Sequence, residues 1–107
     1  MAMLPYNIQN IFTNATTNAT SSYIFANNFT NVVQASISGT GAVSATVTIY
    51  GSIYKQNTGG VSAAVLTLSG TNTASTGTAL TNPWPYYYAV ITAITGTSAK
   101  VTCDIGS

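Results

Sequence analysis

The stretch VSATVTIYGSIY, residues 43–54, alternates apolar and polar positions. Val43, Ala45, Val47, Ile49, Gly51 and Ile53 share one side, while Ser44, Thr46, Thr48, Tyr50, Ser52 and Tyr54 share the other. Successive side chains of a strand point to opposite faces, so this period of two predicts a strand with one dry face. Shorter runs repeat the pattern. Residues 31–38 group Val33, Ala35 and Ile37, and residues 62–69 group Ala64, Leu66 and Leu68. Residues 99–105 group Ala99, Val101, Cys103 and Ile105, with Lys100, Thr102 and Asp104 outward. Residues 23–29 and 73–80 are briefer candidates. From Tyr23 onward Thr, Val, Ile and Tyr dominate, which suits a pleated sheet, and no segment carries a helical period.

Three apolar runs end alike, in ISGT at 37–40, LSGT at 68–71 and ITGT at 94–97. Gly39, Gly70 and Gly96 can take the positive φ of tight turns. After the first and third a strand resumes within a few residues, as in a hairpin. Seven or eight short strands without helices predict an all-β fold, an antiparallel β-sandwich, with the jelly roll as one form of it. Residues 1–22 read differently. Their apolar residues are scattered and an Asn/Thr/Ser tract follows, so they are expected to form an extended N-terminal arm with a short strand at Ile8–Phe12. Residues 23–107 are then the β-sandwich domain.

NPWPYYYAVITAITGT, residues 82–97, breaks the one-sided rule. Tyr86, Tyr88, Val90, Thr92 and Ile94 fall on one face, and Tyr87, Ala89, Ile91 and Ala93 on the other. Both are largely apolar, so a second cover is expected over the face away from the core: a loop or arm of the same chain, or another subunit. Pro83 and Pro85 hold Asn82 and Trp84 extended. Packing and hydrogen bonding at a core edge or an interface is the expected role of Trp84 and the tyrosines. Stacking on a sugar is the other use such rings have.

Charge changes the picture. Only 3% of the chain is charged, namely Lys55, Lys100 and Asp104, with a net charge of +1. Two lysines make no basic patch, which argues against nucleic acid and against polybasic membrane attachment. Mean hydropathy is +0.30, yet no run approaches the ~18 apolar residues of a membrane span. The start MAMLPYNIQN has neither the charge nor the apolar run of a secretory signal, so the Asn-x-Ser/Thr triplets at Asn14, Asn18 and Asn28 are not expected to carry glycans. With no histidine, one aspartate and one cysteine, acid–base pairs, catalytic triads, thiol nucleophiles and metal clusters all lack their parts. The chain is therefore expected to be no enzyme and to hold no cofactor. Cys103, aligned with Val101 and Ile105, is expected to be a buried structural thiol. A nearly neutral surface resists association weakly and suits a protein that ends in an assembly.

In their order, GAVSATVTIYGS at 41–52, LTLSGTNTAST at 66–76 and NPWPYYYAVITAITGTSAKVT at 82–102 resemble a group of small tailed-bacteriophage structural proteins. In size the chain is similar to capsid decoration, or cement, proteins, small β-sandwich or jelly-roll proteins that bridge capsomers on the outside of the head. That resemblance implies a structural virion protein made in the host cytoplasm, with the major capsid protein as partner and a homo-oligomer, dimer or trimer, as its form. Expected interface residues are Tyr6, Ile8, Ile11 and Phe12 in the arm, and Trp84, Tyr86 and Tyr88 around the proline turn. The alternatives are a tail, baseplate or fibre module, or a lectin-like module recognising host glycans.

Overall fold

The computed structural model describes residues 8–26, 31–81 and 83–106. Six strands follow one another: β1 (Ile8–Ala15), β2 (Ala19–Thr20), β3 (Ile24–Phe25), β4 (Asn31–Ser52), β5 (Val61–Leu80) and β6 (Tyr86–Gly106). All pair antiparallel in one open sheet of order β1-β6-β4-β5. β2 and β3 continue the row of β1 along β6, pairing Ala19 with Ile91 and Ile24 with Tyr87. The sheet is thus four ribbons: β1 to β3, then β6, β4 and β5.

β4 is 22 residues long. Straight, it would span about 70 Å at ~3.3 Å per residue, whereas the longest extent of the molecule is 41 Å. The long strands therefore bend, and they bend together. β4 slips register against β5 between Ser38 and Ala42, and against β6 between Ser38 and Ser44. Positive φ clusters in the same band: Gly41 at 76°, Asn72 at 63°, Gly96 at 135° and Ser98 at 54°. The Gly41 N–H donates to the Asn72 side-chain oxygen at 2.8 Å and ties two of the bends together. On the fourth ribbon the break between β1 and β2 lies level with this band. ISGT, LSGT and ITGT were expected to end strands in turns, two of them opening hairpins. Instead the runs 31–38 and 43–52 are one strand, as are 62–69 with 73–80, and 86–94 with 99–105. Of the three glycines expected to take positive φ only Gly96 does; in the other two runs it falls two residues later, at Gly41 and Asn72, and in each case it bends the strand without releasing it from its neighbours, so the repeated turn marks a crease across the sheet.

The concave face holds one apolar core. Val33, Ala35 and Ile37 from one half of β4 join Val43, Ala45, Val47 and Ile49 from the other, with Leu66, Leu68, Leu80, Tyr87, Ile91 and Val101. The alternation read from the sequence assigns these dry faces correctly. Cys103 is buried among them, as expected. Burial, with a smaller push from the neighbouring Asp104 charge, raises its thiol from about 9 to about 12. Two expectations change. Residues 27–29 of the strand candidate 23–29 lie outside the described residues, and 24–25 form β3. Of the supposed arm, residues 8–15 are an integral strand: β1 pairs with β6 from Ile8↔Gly106 to Ala15↔Val101, and Phe12 enters the core. The tract that follows is also anchored, since the backbone N–H of the buried Ser21 donates to the Ala89 carbonyl at 2.8 Å and its hydroxyl accepts the Ala89 N–H at 2.9 Å.

Candidate interaction surface

Three pieces of chain converge at one end of the sheet: the 53–60 hairpin between β4 and β5, residues 83–85 before β6, and β3. In register, Phe25 stands by Tyr86 and Tyr86 by Ser52, while Ile24, Tyr87, Gly51 and Val61 form the adjacent row. Trp84, stiffened by its two proline neighbours, lies flat on Gly51. A Cβ there would fall 2.2 Å from the indole Cγ, so only glycine fits beneath the ring. The Trp84 N–H donates to the Tyr87 hydroxyl at 3.2 Å, which satisfies the polar tip of a ring that is otherwise core.

On the outer face Tyr88 stacks on Tyr50, with centroids 5.2 Å apart and planes at 15°. The 53–60 hairpin folds back over the pair, and the Gly60 N–H donates to the Tyr88 hydroxyl at 2.8 Å. The Asn57 amide ties the same hairpin to the Ser21 carbonyl at 3.1 Å. This hairpin and Tyr23 cover the outer face at Tyr88 and Tyr86, from the same chain, whereas further along that face Val90 and Ile94 are half-buried and Thr92 is exposed. Tyr86 is flanked by Tyr23 and Phe25, each with its centroid 5.7 Å away.

The residues singled out from the sequence divide. Phe12 is buried in the domain's core, and Tyr88 is buried on the outer face beneath the hairpin. Ile11 is half-buried against it, and Trp84 and Tyr86 are half-buried at the rim. Ile8 is 71% exposed. Tyr6 lies outside the described residues. The fold brings β1 to β3, since the Gln9 amide donates to the Phe25 carbonyl at 2.7 Å. Five residues not singled out are the most accessible apolar groups of this end: Tyr23, Phe25 at 53% exposed, Val61 at 56%, Ile53 at 59% and Tyr54 at 64%. Alternation had carried the strand through Tyr54, with Ile53 on its dry face; β4 ends at Ser52, and both residues stand out from the hairpin. A hollow of about 160 Å³ lies between Trp84, Tyr54 and Gln56. Lys55 is the sole charge in the hairpin. Among the described residues no group of acidic, cysteine or histidine side chains is placed to hold a metal ion. The surface can bury rings and exchange neutral hydrogen bonds. In comparisons with known proteins, no family model, curated protein or solved structure matches this chain.

Proposed function

We propose that this chain is a structural protein of a tailed-phage virion that binds the outside of the head and stabilises it by bridging capsid subunits. The observation that carries the reading is the rim formed by Tyr23, Phe25, Ile53, Tyr54 and Val61: five exposed apolar groups gathered at one end of a sheet with almost no charge. Soluble monomers rarely leave such groups together without a partner. The two halves of the creased sheet act as the layers of a sandwich, which gives the stiff scaffold a bridging protein needs. Its partner is the major capsid protein. Buried rim residues each contribute about 1.5–3 kcal/mol, whereas an exposed ion pair contributes about 0–1.

The test is occupancy on purified heads of the parent phage after washes from low to molar salt. Wild type should stay bound, because ion pairs carry little of the attachment and only these are screened. Phe25→Ser and Tyr54→Ser, both at exposed positions, should lower occupancy at least tenfold, and Lys55→Ala should leave it unchanged. Release of wild type by salt, or loss in the lysine variant alone, would refute the mechanism. The hollow beside Trp84 favours host-glycan recognition as the second reading. Binding of Phe25→Ser to heads at wild-type level, together with sugar-dependent quenching of Trp84 fluorescence, would transfer the assignment to it.

A further inference from the structure

We propose that a second copy of the chain pairs with the free edge of β5, antiparallel about a two-fold axis at Asn72, so that two four-ribbon sheets run on as one. Among the described residues β5 is paired with β4 alone. Half of its backbone N–H and C=O groups therefore face outward along an edge 20 residues long. Exposed edges are usually guarded by charge, proline or a break. β5 carries no charged residue and no proline. The opposite edge is guarded, being divided into strands of 8, 2 and 2 residues, with two register shifts in β1. A long unguarded edge can pair with its own copy, and a surface that meets its own copy does so about a two-fold axis, which closes at two subunits.

Self-complementarity sets the register. β5 keeps an unbroken pairing with β4 from Ala64 to Thr71 and again from Thr73 to Leu80, two halves of equal length on either side of Asn72. A two-fold axis along the bisector of the crease turns the bent edge onto itself, so each half lies along the other half of the second copy. The faces agree. Val65, Thr67 and Ser69 share the outer face with Thr48, Thr46 and Ser44, and Ala79, Gly77 and Ser75 share it with Val32, Gln34 and Ser36. Bulk agrees too. Val65, 58% exposed, comes beside Ala79, and Thr67 comes beside Gly77, where an open groove of about 390 Å³ runs along Gln34 and Ser75 to Thr78. Pairing at both halves supplies on the order of 15 hydrogen bonds, the upper end of what protein interfaces carry. No like charges meet across the axis.

This inference concerns the free protein and does not rest on head binding. Sedimentation at ~100 µM should give twice the 11.0 kDa chain mass. Register is read with Ser69→Cys and Ser75→Cys. Their Cα atoms would be about 5 Å apart between copies, within disulfide reach, whereas Ser69 would lie across the crease from its own counterpart, beyond the ~7 Å over which two Cα atoms can be bridged. Refolded together and mildly oxidised, the two variants should give a covalent dimer, and either alone should give at least tenfold less. The native Cys103 is buried and takes no part. A monomer, a trimer, or Ser69→Cys cross-linking to itself as readily as to Ser75→Cys would overturn the proposal.

Discussion

Adding one methyl group at Gly51 tests how the aromatic end is built. In Gly51→Ala the new Cβ would fall 2.2 Å from Trp84 Cγ and 2.3 Å from Cδ1. Carbon atoms settle at about 3.5–4 Å, so the indole must retreat by more than about 1 Å. Pro83 and Pro85 limit how far the backbone can follow. Overpacking of this kind costs about 1–3 kcal/mol, and full expulsion of the ring forfeits about as much burial. A loss of about 2 kcal/mol is expected. With an unfolding entropy of roughly 0.2 kcal/mol/K for a chain this long, the melting temperature should fall by about 9 °C. Trp84 is the only tryptophan, so its emission reports the same site and should shift to the red. Circular dichroism melting and fluorescence together make the measurement. The double variant Gly51→Ala/Trp84→Ala closes the cycle: once the indole is gone, the extra methyl should cost less than about 0.5 kcal/mol. A single variant melting within ~2 °C of wild type with unchanged emission would refute the contact.

Two further outcomes follow from the core and the crease. Cys103 should react with thiol reagents only on unfolding. Because its folded-state pKa is raised from about 9 to about 12, its contribution to stability is whole below pH 9 and is lost as pH rises toward 12, at up to about 1.4 kcal/mol per pH unit. Cys103→Ala should show a shallower alkaline decline in urea titrations, and equal slopes would refute the assignment. Gly96→Ala combines a φ of 135° with a Cβ 2.8 Å from the Val43 Cγ1. It should cost about 1–3 kcal/mol of unfolding free energy in urea titrations, while the exposed Thr95→Ala should stay within ~0.5 kcal/mol, and equal effects would refute the crease.

Much of the fold is legible in the sequence because its signals are local. Period two is written into residues 31–38, 43–52 and 99–105, and the dry faces follow from it. What the pattern cannot distinguish is a strand that ends at a glycine from one that bends there. Both leave an apolar run, Ser or Thr, glycine and a fresh run. The difference lies in whether the neighbour bends at the same level, as when Gly41 meets Asn72, and that is a matter of register between distant segments. β1 was obscured for a similar reason. Two bulges shift its phase between Asn10, Phe12 and Ala15, so Phe12 reaches the core without a readable alternation. At the aromatic end, Trp84 and Tyr86 stand out by composition, but the exposure of Ile53 and Tyr54 follows from where β4 stops, which the unbroken alternation hides.

One sheet creased across four ribbons also constrains how the chain reaches its native state. β4 and β5 form a hairpin through a short loop, so they can pair early at little loop-closure cost. β6 comes later in the chain yet lies between β4 and β1. Until it enters, β4 exposes an edge as long as that of β5, and the hairpin shows the dry faces of Val33, Val47, Leu66 and Leu68 to water. Charge cannot protect this intermediate, since Lys55 is the only charged residue between Ile8 and Ala99. The crease can. An edge that bends in the middle pairs over its full length only with a strand bent at the same level, and within the chain that strand is β6, with Gly96 and Ser98 opposite the bend of β4. A straight foreign strand would match one half and leave the other. Placing positive φ in register across the ribbons thus selects the right partner by shape where like-charge repulsion is missing.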